Sequence, residues 1–410
     1  MILNRIWIGM FLIAAIAGLS KLIFWQDLDV FKNLVDALMG AATTGFEISL
    51  SLTGIICLWM GIMKIGENGG AIRILTKLVA PLFSRLFPEV PKNHPAVGSM
   101  MMNFSANMLG LDNSATPLGL KAMKELQELN PEKETASNAQ IMFLVLNTSG
   151  LTIIPVTIFA YRSGSESPTS VFLPILIATF IASLGGLIYV AIRQKINLFN
   201  QVILAYVGTA SLFIGFLLYY ISIHPEHGDV ISKVGGNLTI FLIVISFILL
   251  AARKKVNVYD SFIEGAKDGF SVAISIIPYL VAMLAAIAVF RASGALDILL
   301  EGIKIIALGA GVTVTEWIDA LPVAFMKPLS GSGARGAYLE IMSHYGVDSM
   351  QEKIAATFQG STETTFYVLA VYFGSVKIKH TRYAVTAGLI ADFIGIVSAI
   401  FISYLFYTNA

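Results

Sequence analysis

Long apolar stretches recur along the whole chain, and they predict helices that cross a lipid bilayer. A bilayer core of about 30 Å requires roughly 20 apolar residues in helical form. Five uninterrupted stretches are predicted as spans: 6–24, 171–192, 202–223, 238–252 and 384–407. Four more contain polar residues: 46–65, 141–160, 272–290 and 366–376. Two are too short to span and predict half-helices or interfacial helices: 75–87 and 303–314.

The composition agrees with a membrane environment. Of the 410 residues, 56% are hydrophobic and only 13% are charged, whereas a soluble domain carries about 25% charged residues. The formal net charge is +1, so there is no basic excess with which to hold a nucleic acid. The single cysteine, Cys57, excludes an internal disulfide bond. We therefore predict an all-α polytopic membrane protein that contacts the lipid bilayer and binds no nucleic acid.

The positive charges of the short loops predict the orientation, because cytoplasmic loops carry an excess of Lys and Arg. The loops at 193–200 and 253–259 are rich in these residues, whereas 224–236 has one Lys and no Arg. Arg5 places the N-terminus inside, and the basic segment at 377–382 lies inside before the last span. The C-terminus is then predicted to lie outside.

An internal repeat organises the predicted spans. When the sequence is shifted by 224 residues, 46–75 falls on 270–299 with six identities in thirty positions. A second pair of polar clusters, 147–152 and 359–364, occupies corresponding places. Corresponding spans run in opposite directions by the charge bias, so two repeats in inverted topology with interrupted, re-entrant or broken helices are predicted. Such repeats are typical of secondary transporters, whose site lies near the bilayer midplane at the repeat interface.

Four polar stretches fall at membrane depth: 98–120, 147–152, 328–336 and 359–365. Polar groups and non-helical backbone are tolerated there only where they face protein or a water-filled cavity. The predicted solute-binding residues are Asn103, Asn107, Asp112, Asn113, Ser114, Thr116, Asn147, Ser330, Ser332, Arg335, Gln359, Ser361, Thr362, Glu363 and Thr364. An inward Arg335 would attract a carboxylate or phosphate. The alternative is that these residues only mediate close helix packing.

Two further observations bear on chemistry. Asp392 lies inside an apolar span and requires a partner, for which Arg382 and Arg335 are candidates. Nucleotide-binding, metalloprotease, serine-hydrolase and dithiol motifs are missing from the sequence. We therefore predict that the protein is not an enzyme and has no cofactor and no bound metal. His224 and His227 could bind a metal, but an ordinary surface loop is favoured.

Several long motifs resemble two known families. LWMGIMKIGENGG at 58–70 and the segment 87–130 resemble spore maturation protein A. The segments 259–270, 277–297, 326–336 and 358–384 resemble spore maturation protein B. The resemblance implies a natural fusion of the two. Its parts would be an A-like gate repeat at 1–196, a linking span and outside loop at 197–229, and a B-like gate repeat at 230–410.

The resemblance also implies a function class. Both families are similar to the nucleoside-recognition or gate domains of concentrative nucleoside transporters and of the ferrous-iron transport protein B. Spore maturation proteins are associated with dehydration of the spore core. The resemblance to them identifies no substrate. We therefore predict a secondary transporter of a small polar solute in the bacterial inner membrane. Coupling to Na⁺ or H⁺ and assembly as a homo-oligomer stay open. The alternatives are a metal-ion permease or channel and a non-transporting scaffold in envelope or spore maturation, whose polar clusters would pack without a cavity.

Overall fold

The regular structure is helical wherever the chain is described. A computed structural model describes the backbone of residues 2–407 and the side chains of residues 4–111 and 115–407. The helices are α1 (Ile2–Phe24), α2 (Val30–Gly69), α3 (Ala71–Leu86), α4 (Pro95–Met108), α5 (Asp112–Leu129), α6 (Asn138–Thr148), α7 (Val156–Tyr161), α8 (Phe172–Gln194), α9 (Gln201–Ile203), α10 (Thr209–Ile223), α11 (Gly228–Arg253), α12 (Val258–Ala292), α13 (Ala295–Gly309), α14 (Glu316–Asp319), α15 (Leu321–Met326), α16 (Gly331–Tyr345), α17 (Met350–Ser361), α18 (Thr365–Ser375) and α19 (Ala384–Tyr407). The π-turn Leu204–Gly208 joins α9 to α10.

Seven helical stretches in the described part of the chain are long and apolar enough to cross a membrane. They are Asn4–Phe24, Val30–Gly69, Pro168–Gln194, Gln201–Ile223, Pro225–Arg253, Val258–Ala292 and Ala384–Tyr407. The five uninterrupted predicted spans all lie within them. Large apolar side chains such as Leu212, Phe213 and Phe216 of α10 are exposed, and an exposed apolar surface of this kind fits lipid contact. The prediction of a polytopic all-α membrane protein is confirmed.

Four of the predicted spans differ from the structure. The stretch 366–376 corresponds to α18, which has 11 residues and is too short to cross the bilayer core. The stretches 46–65 and 272–290 are only the apolar middles of α2, with 40 residues, and α12, with 35 residues. At 1.5 Å per residue α2 is about 60 Å long, twice the thickness of the bilayer core. The stretch 141–160 is not one continuous span. It breaks at 149–155, where Gly150 has a φ of +54° and Pro155 has no N–H to donate.

The same order of helices occurs twice in the described chain. A span (α1 or α11) is followed by a long helix (α2 or α12), a short amphipathic helix (α3 or α13), a series of interrupted helices and a last span (α8 or α19). Gly70 separates α2 from α3 with a φ of +87°, and Gly294 separates α12 from α13 with a φ of +81°. This left-handed conformation favours glycine. The two glycines are related by the same 224-residue shift that aligns the sequences.

Corresponding helices of the two halves pack against each other in antiparallel fashion. Gly45 of α2 lies against Val281 of α12, whereas Gly61 lies against Phe262. The contact therefore moves backward along α12 as it moves forward along α2. The pair α8 and α19 behaves in the same way, since Ala182 lies against Gly395 and Gly186 against Ala391. Glycine and alanine at these crossings let the helix backbones approach closely.

Two polar clusters join the halves. In the first, the backbone N–H groups of Lys379 and His380 donate to the Glu134 carbonyl at 2.8 and 3.0 Å, and the Lys379 ammonium pairs with the Glu134 carboxylate at 2.5 Å. The hydrogen bond from Lys379 lowers the pKa of Glu134. This cluster links the segment before α6 to the segment after α18.

The second cluster is buried. The Arg162 guanidinium pairs with the Glu352 carboxylate and with Asp348, the latter at 2.7 Å. The Tyr338 hydroxyl donates to Glu352 at 2.6 Å. Burial acts to lower the pKa of Arg162, but the Glu352 charge outweighs it and the pKa is raised. This cluster links the segment after α7 to the start of α17, so it exchanges the roles that the two halves have in the first cluster.

Candidate functional site

Four helix interruptions lie in the described backbone between neighbouring half-helices, at 109–111, 149–155, 327–330 and 362–364. Backbone hydrogen bonds tie them to one another: Ile153 N–H to the Met108 carbonyl at 2.7 Å, Glu363 N–H to the Thr148 carbonyl at 2.8 Å, and Phe366 N–H to the Pro328 carbonyl at 2.9 Å. The four breaks, two from each half, therefore form one continuous centre. Each hydrogen bond satisfies a donor that the break has removed from its helix.

The breaks between α6 and α7 and between α17 and α18 meet most closely. Gly150 faces Glu363, and its positive φ of +54° places the chain where a side chain would collide with the Glu363 side chain. The glycine is therefore required both by its own backbone conformation and by the approach of the other half. This contact fixes the position of the Glu363 side chain at the cavity.

A cavity of about 650 Å³ opens at this centre. Its wall includes ten of the predicted residues: Asn107, Thr116, Asn147, Ser330, Ser332, Arg335, Gln359, Thr362, Glu363 and Thr364. These residues come from both halves and are far apart in sequence. The structure therefore brings most of the predicted polar positions to one place.

The other predicted residues have different positions. Asn103 is buried behind the wall and donates to the Ala115 carbonyl at 2.7 Å and to the Tyr372 hydroxyl at 3.2 Å. The Ser361 hydroxyl is also buried, and it donates to the Phe358 carbonyl at 3.0 Å. Neither lines the cavity, and the Asn103 Oδ1 has no hydrogen-bond partner among the described residues. Asp112, Asn113 and Ser114 open α5, but their side chains lie outside the described residues.

A hydrogen-bond network holds the asparagines in place. The Tyr372 hydroxyl receives the Asn103 amide and donates to the Asn147 carbonyl oxygen at 3.2 Å. The Asn107 amide donates to the same Asn147 oxygen at 2.7 Å. Tyr372 comes from α18 in the second half, whereas the asparagines come from α4 and α6 in the first. The network therefore fixes amide groups of the cavity wall across the junction of the two halves.

The electrostatic character of the wall favours an anionic group. Arg335 forms no ion pair with any described residue, and its Nε is buried without a hydrogen-bond partner among them. The first turns of α16 and α18 also line the cavity, and the N–H groups of a helix N-terminus carry partial positive charge. Glu363 contributes a carboxylate to the same wall. The cavity thus offers a cationic side and one separate acceptor.

Sequence reasoning missed several lining residues, among them Lys327, Tyr279 and Tyr367. Lys327 is buried, and its ammonium donates to the Gln359 carbonyl at 2.7 Å. The sequence feature that could have indicated its role is a single lysine beside Pro328 in an otherwise apolar segment. Tyr279 and Tyr367 give no comparable sign, because aromatic residues are common in membrane helices. Their place at the cavity depends on how the helices pack.

Large parts of the chain are similar to known proteins. A family model described as nucleoside recognition (Gate) matches residues 49–163. Spore maturation protein A of Bacillus subtilis (strain 168) is 36% identical over 197 residues, which cover 47% of this chain and 97% of that protein. Spore maturation protein B of the same organism is 44% identical over 169 residues, which cover 41% of this chain and 93% of that protein.

The chain belongs to the spore maturation A and B family. No solved structure matches it at a significant level. In this family member the matched Gate segment contains two of the four interruptions, those at 109–111 and 149–155. The other two interruptions lie beyond that segment, in the second half of the chain. The cavity is therefore formed jointly by the matched segment and by the rest of the protein.

Metal-ligand types are not concentrated at the cavity. The described residues that line it include no Cys, His or Met. His224, Glu226 and His227 place their ligand atoms within 4.8 Å of one another, but they lie on the turn between α10 and α11. The Tyr220 hydroxyl already contacts the His227 Nδ1 at 3.0 Å. The described lining therefore offers amide, hydroxyl, carboxylate and cationic groups and no soft or imidazole metal ligand.

Proposed function

We propose that this protein is a secondary transporter that carries a small polar solute with an anionic group across the bacterial cytoplasmic membrane. The observation that carries the proposal is the cavity of about 650 Å³ at the junction of four helix breaks, with Arg335 on its wall. This volume suits a small molecule. Interrupted helices around a polar site are the arrangement by which many secondary transporters bind their substrates.

The chemistry of the wall defines the class of solute. The Arg335 guanidinium would bind a carboxylate or phosphate through paired N–H donors. Glu363, Asn107 and Asn147 would accept and donate hydrogen bonds with hydroxyl or amino groups at the other end of the solute. Nucleosides enter as candidates through the description of the matched Gate segment, although their lack of a negative charge leaves Arg335 without a partner.

The proposal includes an inverted arrangement of the two halves, with the N-terminus inside and the C-terminus outside. The antiparallel contacts of α2 with α12 and of α8 with α19 support it. The two polar clusters support it as well. At Glu134 the segment before α6 meets the segment after α18, whereas at Arg162 the segment after α7 meets the start of α17. The halves would be the segments 1–196 and 230–410, connected by 197–229. Alternating access would then move one part against the other around the cavity.

The two alternative functions fit the cavity less well. A metal-ion permease would be expected to place soft or imidazole ligands at its centre, and the described lining has none. Met100, Met101 and Met102 lie in α4 and are not part of the wall. A scaffold would pack its polar clusters against one another. In this protein the polar clusters surround an open cavity instead, and this arrangement favours transport.

A ligand screen tests the proposal. The purified full chain would be tested by thermal shift with nucleosides, organic acids, amino acids, phosphorylated metabolites and divalent metals, since a ligand that binds the folded state raises its stability by mass action. We expect a shift with at least one anionic solute and its loss in Arg335→Gln. The exposed Arg73 of α3 gives a matched control, Arg73→Gln, which should keep the shift.

Two results would contradict the proposal. One is a folded wild-type protein that responds to none of the anionic solutes. The other is a shift of equal size in Arg335→Gln and the wild type, which would place the binding elsewhere. A response to metals alone would favour the permease.

A further inference from the structure

A buried carboxylate stands beside the cavity without a cationic partner in contact. Asp392 lies in α19 and is 2% exposed. The Thr365 hydroxyl donates to its Oδ2 at 2.7 Å, whereas its Oδ1 makes no hydrogen bond with any described residue. The sequence suggested Arg382 or Arg335 as partners, and this expectation was wrong. Arg382 donates to the Ala136 carbonyl instead, and Arg335 points to the cavity.

A second hydroxyl lies beside Asp392. The Thr362 hydroxyl is buried within hydrogen-bonding reach of the Asp392 carboxyl group, although it meets the full geometric criteria for a hydrogen bond with no described residue. Thr362 packs against Gly395, which lies one turn after Asp392 on α19, and Thr365 packs against Gly388, one turn before it. One face of α19 therefore presents Asp392 to the break between α17 and α18. Thr148 approaches the same face at Gly388.

Several oxygen atoms surround the carboxylate. Helix α17 ends at Ser361, and the carbonyl groups in the last turn of a helix lack N–H partners and carry partial negative charge. The Ser361 carbonyl faces Gly395. A carboxylate, two hydroxyl groups and the end of a broken helix form an oxygen-rich site. Hard cations bind oxygen ligands of this kind, and broken-helix C-termini coordinate Na⁺ or H⁺ in transporters.

We propose that Asp392, Thr362 and Thr365 form a binding site for a small monovalent cation, Na⁺ or H⁺, which is coupled to the solute. The inference deepens the proposed transport function, because it identifies where the driving ion would bind. Thr362 connects the two sites: it lines the solute cavity and also faces Asp392. Occupation of the cation site would fix the break at 362–364 and with it the neighbouring Glu363.

Two charged side chains act on the proposed cation site. Lys327 and Glu363 are the charged side chains that act on Asp392 from the neighbouring segments. They carry opposite charges, so one favours the carboxylate and the other favours a bound cation. The segment 178–181 of α8 (ATFI) resembles 391–394 of α19 (ADFI), so Thr179 corresponds to Asp392. The Thr179 hydroxyl donates to the Leu176 carbonyl at 3.0 Å. The first half has no acid at this position.

The test measures cation binding without any solute. The purified full chain would be heated in sodium chloride or in choline chloride at equal ionic strength and fixed pH. A second series would lower the pH in choline chloride. We expect the midpoint of unfolding to rise with Na⁺, or with protons if H⁺ is the ion. Asp392→Asn should remove the response and Thr362→Val should weaken it. Thr179→Val and Asp319→Asn are controls, a buried threonine and a buried acid away from the site, and both should keep the response.

The result that overturns the inference is a wild-type response to Na⁺ and to pH that equals that of Asp392→Asn. If Asp392→Asn does not fold, the same comparison with Thr362→Val decides, because an unchanged response in that variant also overturns the site. A cation response without any response to a solute would support the site and contradict transport. The two proposals can therefore fail separately.

Discussion

Two arginines of this protein show how burial and partners separate a structural residue from a candidate binding residue. The Arg162 side chain is fully buried and forms ion pairs with Glu352 and Asp348, although its Nε has no hydrogen-bond partner among the described residues. Arg335 lies at the cavity, has the same unpaired Nε, and differs from Arg162 in forming no ion pair with any described residue. Buried unpaired polar atoms are costly. Gln359 Oε1, Thr362 Oγ1 and Asp392 Oδ1 also lack a partner, so four of the ten such atoms among the described residues lie at or beside the cavity.

Replacement of the two arginines should affect stability differently. Arg162→Gln leaves the Glu352 carboxylate buried without its partner, and removal of one member of such a pair costs about 3–5 kcal/mol. Arg335→Gln removes a charge that has no partner, so we expect a change of less than about 1 kcal/mol. Unfolding by denaturant in detergent, followed by circular dichroism, measures both. Equal losses of stability would contradict the distinction.

At the scale of elements, the helix breaks rather than the spans determine the site. The sequence indicates the breaks through clusters such as 147–152 and 359–365, where glycine and hydroxylated residues interrupt apolar runs. It does not indicate their lengths or partners. Residues 141–160 look like one span because hydropathy counts side chains, while the break depends on the φ of Gly150 and on its contact with Glu363. Tyr372, which joins Asn103 to Asn147, could not be predicted because its neighbours come from the other half.

Gly150 should be sensitive to replacement. In Gly150→Ala the positive φ costs roughly 1–2 kcal/mol, and the new methyl group would displace Glu363. We expect lower thermal stability and a weaker response to the solute. Gly98→Ala is the matched control, because Gly98 lies in α4 with no neighbour within 4 Å. That change should be neutral or stabilising by about 0.5–1 kcal/mol. Equal effects of the two substitutions would contradict the role of the break.

The stability that the exposed ion pair of Glu134 and Lys379 contributes to the fold should depend on pH. The pKa of Glu134 is lowered in the folded state, so its contribution to stability is present above the unfolded-state pKa and is lost as the pH falls through the folded-state value. The difference in unfolding midpoint between the wild type and Glu134→Gln should therefore disappear on acidification. Glu132→Gln, an exposed neighbour, should show no such difference. A difference that does not change with pH would contradict the assignment.

At the scale of the whole molecule, the fold has two halves that repeat one order of helices. The sequence predicts this through the shift that relates Gly70 to Gly294, and the charge bias of the loops predicts the inversion. The packing of α2 on α12 is beyond the sequence, because it depends on small residues such as Gly61 and Gly265 facing the other helix. Neither composition nor periodicity shows which faces of two long apolar helices meet.

Equivalent loops in the two halves should lie on opposite sides of the membrane. Lys133 precedes α6 and Val347 precedes α17, and both are exposed. In a Cys57→Ala background, Lys133→Cys should react with a membrane-impermeant thiol reagent only from the cytoplasmic side. Val347→Cys should react only from the outside. Labelling of both positions from the same side, in intact cells and in inverted vesicles, would refute the inversion.

Uptake into proteoliposomes tests the central claim most directly. The solute that stabilises the protein in the screen would be supplied in labelled form, with the wild type, Glu363→Gln, Arg335→Ala and the control Arg73→Gln reconstituted in parallel. The account predicts that the wild type and Arg73→Gln accumulate the solute, and that both cavity variants lose uptake although they remain folded. Unchanged uptake in both cavity variants would contradict the site. No uptake by a wild-type protein that binds the solute would contradict transport itself.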